Sequence, residues 1–334
     1  MGTSITKYAY SVSGAHLLEK YFFSGSEMER LLSLPSYDAV VSQLNEKGWI
    51  IPEDSRDVNK LLNNELSRAW KWITDSVPDI KLFELLILRN DYHNLKAGIK
   101  SLLNDFDVDM HFISPCLIEH SLMKEAIEDK NYDLLPEPFN ELGKEVYDIL
   151  VRTEDGQLAD LIIDRKCSEE LLKAAQEAKI PLLTQAVEIS VANANIKTAY
   201  RAIKTGKKED FLKKALAEGL TTLDNDKLIS CIDTDTDDES KDKTEKLLEY
   251  LSSTPYAEGT KLLSSTPADY EKWIDDKIMS LFVPFRYSPL GPEPILGFWF
   301  GKEAEVKNIR IILAAKQTNL PPEIVAQRLR RLYE

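Results

Sequence analysis

Much of what an enzyme or a membrane protein displays is missing from this chain of 334 residues. It has no Gly-x-x-x-x-Gly-Lys-Ser/Thr loop to cradle phosphates, no Gly-x-Gly-x-x-Gly fingerprint and no Gly-x-Ser-x-Gly elbow, which removes the usual routes to nucleotide binding and serine hydrolysis. No apolar run approaches the roughly 18 to 20 residues needed to span a bilayer. Cysteines are few: Cys116, Cys167 and Cys231 are too widely spaced for a metal or redox motif and read as reduced thiols of a cytosolic protein. His16, His93, His111 and His120 form no His-x-x-x-His pair, so no metal site is expected. The amino terminus has neither a signal-peptide core nor an Arg-rich transit helix. Gly2 with Thr6 fits a myristoylation pattern only superficially, because Lys7 follows and no polybasic partner is near.

Basic residues are in deficit. Lys and Arg number 42 against 56 acids, a formal charge of −14. An acidic surface repels phosphates, so nucleic acid is excluded as a partner. The acidic run Asp233, Asp235, Asp237, Asp238 and Glu239 invites a calcium loop. Counted from Asp233, however, the sixth and twelfth positions hold Asp238 and Thr244, where an EF-hand needs Gly and Glu. A solvated acidic loop is the expectation. No catalytic residue, metal or cofactor is assigned.

What is present is helical periodicity. Val58, Leu61, Leu62, Leu66, Trp70 and Ile73 form one stripe within 55–75, ended by Pro78. Ile80 to Leu103 reads as one long helix with a wide apolar face. Ser114-Pro115 is expected to start a helix whose first turn is Cys116 to Glu119. Helices are further expected over 139–152, 168–179, 182–204, 208–218, 242–252, 268–282, 302–315 and 322–333, with Gly206 as a stop signal. Only 146–151 and 295–300 are ambiguous with strand. Long connections are expected at 221–242 and at 283–297, where Pro284, Pro289, Pro292 and Pro294 argue against regular helix. The class is all-α.

The chain also repeats itself. Asn94-Leu95-Lys96, Asn195-Ile196-Lys197 and Asn308-Ile309-Arg310 share the order Asn, aliphatic, base, with spacings of 101 and 113 residues, and no other Asn has this sequel. Random placement at this composition gives about half a match, so three point to triplication. Trp72-Ile73-Thr74-Asp75 resembles Trp273-Ile274-Asp275-Asp276. Their spacing of 201, against 214 between the outer Asn residues, places a 13-residue insertion in the Pro-rich stretch. The middle copy lacks the Trp, and Cys167 to Ile180 is its matching helix. Boundaries near 110 and 215 give three helical domains, 1–110, 111–215 and 216–334.

Asn is a mediocre helix former, so its retention three times within helices implies a polar contact specific to each unit. Two explanations stand. In one, each Asn ties its helix to a neighbour. In the other, Asn94, Lys96, Asn195, Lys197, Asn308 and Arg310 form a partner-binding ring of three amides and three bases. Phe298-Trp299-Phe300 is core by default, with a docking patch as the alternative.

The repeat plan, the element Asp91-Tyr92-His93-Asn94-Leu95-Lys96, the run from Gly301 through Glu305 to Arg310, and the ending Pro322-Glu323-Ile324 to Tyr333 together resemble the C subunits of bacterial and archaeal V-type (A-type) ATPases, a family related to the d subunit of the eukaryotic V-ATPase. The middle copy has Ala192 where the others have Asp91 and Glu305. The resemblance implies a non-catalytic socket: a funnel of three related helical domains in pseudo-threefold array. It implies coupling of the central rotor shaft to the proteolipid membrane ring for proton or sodium transport, from a cytoplasmic position peripheral to the membrane and without insertion into it. Three kindred units in one chain can close around an axis, and a torque coupler needs the stiffness of packed helices. The competing expectation is a soluble α-helical scaffold for cytosolic partners; an enzyme lacking any familiar motif ranks behind both.

Overall fold

The computed structural model describes residues 5–102, 111–153, 156–232 and 242–334. Among them the regular structure is helix throughout, with no strand. The helices are α1 (Ala9–Leu18), α2 (Gly25–Ser33), α3 (Tyr37–Glu46), α4 (Val58–Ser76), α5 (Leu85–Ser101), α6 (His120–Glu128), α7 (Phe139–Thr153), α8 (Gly156–Ala178), α9 (Pro181–Lys204), α10 (Glu209–Ala215), α11 (Asn225–Ser230), α12 (Lys243–Ser252), α13 (Thr260–Ser265), α14 (Pro267–Phe282), α15 (Glu293–Thr318) and α16 (Pro322–Ala326). Local chemistry sets many of their ends. Ser24 and Glu27 form a reciprocal capping box at α2, while Ser36, Asp57 and Thr266 cap α3, α4 and α14. Asn319, at φ +53°, closes α15 in the left-handed conformation that Asn tolerates.

The chain divides into two units. One comprises Met1–Phe83 with Leu262–Glu334, the other Glu84–Lys261. In the first, α15 packs on α4, α1 and α14. Leu31, Val40, Leu44, Leu61 and Leu62 from α2, α3 and α4 meet Ile309, Ile312 and Leu313 from α15 in one apolar core. In the second, α8 packs on α5, α7 and α9. Close approaches there are set by small residues: a Cβ on Gly98 would lie 2.1 Å from Ile127 Cδ1.

Several sequence expectations fail. No helix starts after Pro115. α6 begins at His120, because the amides of Leu117 and Ile118 donate to the buried carboxylate of Asp91 instead of entering a helical turn. The expected helix over 80–103 is broken: a short 3-10 turn at Ile80–Leu82 precedes α5, and Phe83 is buried between them. The Pro-rich segment is shorter than the residue count implied. Pro292 stands at the N-cap of α15 and Pro294 in its first turn, where a missing N–H costs nothing, so 295–300 is helix. Residues 146–151 are helix as well, within α7. α8 starts well before Ser168, whereas α10 is shorter than 208–218. Helix after Pro322 ends at Ala326, and the chain to Glu334 runs without regular structure. The acidic run 233–239 and the boundary at 110 lie outside the described residues.

Candidate functional site

The three repeated Asn residues are buried, at 0%, 2% and 1% exposure for Asn94, Asn195 and Asn308. They sit on α5, α9 and α15, and each makes the same paired contact with a backbone downstream. The Asn94 amide nitrogen donates to Ile113 O at 3.1 Å while Ile113 N donates to Asn94 Oδ1 at 2.8 Å. Asn195 donates to Ala217 O at 2.9 Å and accepts from Ala217 N at 3.0 Å. Asn308 donates to Arg330 O at 2.9 Å and accepts from Arg330 N at 2.7 Å. The partner lies 19, 22 and 22 residues on. An amide side chain reproduces the donor–acceptor pair of a peptide group, so each Asn clamps an irregular segment that has no ladder of its own. Arg330 is held in this way four residues after α16 ends at Ala326.

The first two ties share a second contact. Asp91 accepts from the amides of Leu117 and Ile118, four and five residues past the clamped Ile113. Glu188 accepts from Thr221 and Thr222, four and five residues past the clamped Ala217. The acid absent at Ala192 is therefore supplied one helical turn earlier on α9. Burial pushes the Asp91 carboxyl up to about 6, against the pull of the Ile118 and Leu117 amides and the nearby His120. Glu188 is less enclosed. Burial opposes its ionised form, but the hydrogen bonds from Thr221 and Thr222 outweigh it and hold the carboxyl below its ordinary value.

In the third copy the acid is used differently. Glu305 Oε1 accepts from Phe23 N at 2.7 Å, and its other oxygen pairs with Lys302 one turn away. Lys302 also donates to Glu65 Oε1 of α4 at 2.9 Å, and Arg68 Nη2 donates to Glu65 at 2.8 Å. The Lys302 ammonium stands 4.4 Å from the Phe22 ring centre. Glu65, Lys302 and Glu305 are 2%, 4% and 1% exposed. Two acids and two bases thus join α4, α15 and the 22–23 turn as a neutral cluster. Burial raises the Glu305 carboxyl, while the Lys302 charge and hydrogen bond act the other way. Among the described residues no group of three or more His, Cys, Asp or Glu could hold a metal ion.

Of the six residues singled out by sequence, the three amides are engaged in backbone ties, each with a different partner segment. The bases lie outward of them: Lys96 pairs with Asp164 at 2.5 Å, Arg310 donates to Asn59 Oδ1 at 2.8 Å, and Lys197 is half-buried on α9. Sequence reading missed Glu65, Glu188 and Lys302. Glu65 carried a signal, since it interrupts the buried stripe Leu61, Ala69, Ile73 of α4 at its four-residue spacing. Phe298-Trp299-Phe300 is mainly core: Phe298 and Trp299 are 2% and 1% exposed, and Phe300 stacks on Phe282.

Similarity to known proteins agrees with the resemblance. The C subunit of the V-type sodium ATPase of Enterococcus hirae is 22% identical over 323 residues, covering 95% of this chain and 96% of that protein. The C subunit of the V-type ATP synthase of Thermus thermophilus is 25% identical over 135 residues, 39% of this chain and 42% of its own length. The family model described as the ATP synthase (C/AC39) subunit matches residues 13–328. With nearly its whole length matched, the chain belongs to the ATP synthase (C/AC39) subunit family.

Proposed function

We propose that this chain is a non-catalytic central-stalk subunit of a V-type or A-type rotary ATPase. In this role it is a socket coupling the rotor shaft to the proteolipid ring, on the cytoplasmic side and peripheral to the membrane through the complex. The observation that carries the proposal is the family match over 13–328, together with the Enterococcus hirae relative aligned along 95% of the chain. No helix among the described residues is long and apolar enough to cross a membrane, which is compatible with a peripheral place. The name of the Enterococcus hirae relative specifies sodium; the ion handled by this chain's complex is a property of its membrane subunits.

The same proposal includes three kindred helical modules, 1–110, 111–215 and 216–334, arranged around an axis. Its support is the clamp that recurs at Asn94, Asn195 and Asn308 with offsets of 19, 22 and 22 residues. With the amides engaged internally, Lys96, Lys197 and Arg310 are the members of the repeated element through which partner contact is tested. A tagged chain captured from detergent-solubilised membranes should bring down shaft and proteolipid subunits together, and charge reversal of the three bases should reduce that recovery. Capture of soluble proteins alone, with motor subunits absent, refutes the proposal and favours a scaffold.

A further inference from the structure

A cavity of 380 Å³ opens in the first unit beside the end of α1, the end of α3, and the facing sides of α4 and α15. Its size lies within the range of about 300–1,000 Å³ typical of small-molecule sites. The apolar wall is built of rings. Trp72 meets Phe298 edge to face with centres 5.0 Å apart, and Phe298 stacks on Phe22 at 5.3 Å. Behind Trp72 stands Gly14, where a Cβ would lie 2.9 Å from the indole, so the ring is backed by main chain and cannot retreat. Leu18, Tyr21 and Ala69 extend the wall.

The polar part of the lining is rich in donors. Lys47, Arg68 and Lys302 line the cavity with Glu65 as the sole acid of the lining. Behind the lining Glu27 pairs with Lys47 and Glu305 with Lys302, so the charges balance and what the cavity offers is unused N–H capacity. Lys302 is enclosed and held by Glu65 and Glu305. Lys47 and Arg68 have side chains 20% and 43% exposed and stand where a head group can reach them. Lys47 donates to Glu27 and keeps further N–H capacity, since an ammonium carries three donors.

We propose that this cavity binds an amphipathic monoanion, an alkyl or aryl body carrying one carboxylate or equivalent group. The body lies against Trp72, Phe298 and Phe22, and the anion meets Lys47 and Arg68. A cation of the same shape meets N–H donors where it needs acceptors, and a neutral analogue loses the charge-assisted hydrogen bonds that fix the head. This site is independent of the coupling role proposed above. The chemistry is shared by free fatty acids and anionic lipids.

The test is calorimetric titration of the full-length chain with decanoate, decylammonium and decanol. Decanoate should bind one to one, and each analogue should bind at least about tenfold more weakly. Ala69→Trp fills the cavity and should abolish binding; Lys47→Gln should weaken it about threefold to tenfold. Circular dichroism and melting of both variants establish that the fold persists, and should Ala69→Trp fail to fold, Lys47→Gln with the charge series carries the decision. Absence of a decanoate isotherm, equal binding of decylammonium, or unchanged affinity in folded Ala69→Trp overturns the proposal. Phosphatidylglycerol vesicles separate the two sources. Vesicle binding that decanoate competes away supports the cavity as a lipid site, and vesicle binding indifferent to decanoate, with no decanoate isotherm, overturns it.

Discussion

Replacing Asn195 by Leu removes a side chain of similar volume and, with it, three hydrogen bonds. The Asn195 amide donates to Ala217 O and to Asn225 Oδ1, and it accepts from Ala217 N. These groups do not suffer equally. Ala217 O keeps a second donor, Asn225 Nδ2 at 2.9 Å. Ala217 N has no such reserve, and Ala217 is 1% exposed. One buried N–H left without an acceptor costs about 1–3 kcal/mol, and the lost bond to Asn225 adds about 1 kcal/mol, so Asn195→Leu should destabilise by about 2–4 kcal/mol. Urea unfolding followed by circular dichroism measures the total, provided the slope with denaturant is unchanged. Hydrogen exchange supplies the local readout: the Ala217 amide should lose protection by far more than its neighbours in α9. A loss under about 0.5 kcal/mol, with Ala217 still protected, would refute the idea that the amide acts as a substitute peptide group.

Three further outcomes follow from the buried groups. Lys302→Met leaves Glu305 in the core without a counter-charge and Glu65 with Arg68 alone, and should cost about 3–5 kcal/mol in thermal or urea unfolding, with part of the loss restored when both acids are also changed to Gln. Gly301→Ala should cost about 1–3 kcal/mol, because its Cβ would fall 2.7 Å from Tyr333 Cβ and 2.9 Å from the Phe22 ring. Asp91 sets a pH window: its carboxyl lies at about 6 in the fold against an ordinary 3.8. Its contribution is then intact below about pH 4 and falls by about 3 kcal/mol as pH rises through about 6, since the unfolded chain ionises first. Asp91→Asn should flatten that part of the stability profile, and an unchanged profile would show that the carboxyl is not responsible.

The helices and the tripled element were legible because both are local. Periodicity marks a buried stripe, and Asn followed by an aliphatic residue and a base is a short string. What the Asn residues grip was not legible. Their partners at Ile113, Ala217 and Arg330 are backbone groups, and a peptide bond has no identity in a sequence. The same blindness misplaced the start of α6. Pro115 offered a helix signal, but the acid that captures the next amides lies 26 residues upstream at Asp91. Glu65 and Lys302 meet across 237 residues, a separation that no local pattern encodes. The Pro-rich stretch misled for the opposite reason: proline near a helix start is permissive, and only the cap position of Pro292 distinguishes that from a break.

The first unit is assembled from two segments that flank the second unit in sequence, and contacts within it are made by Arg330 in the Asn308 clamp, Tyr333 against Gly297 and Gly301, and Glu334 on the Gly25 amide. During synthesis, residues 1–83 therefore emerge long before the segment that completes their core, whereas residues 84–261 hold all of their own core once they have left the ribosome. Until then the early segment holds Leu31, Leu44 and Leu62 without the α15 residues that cover them, which makes it the part of a stalled chain most exposed to aggregation.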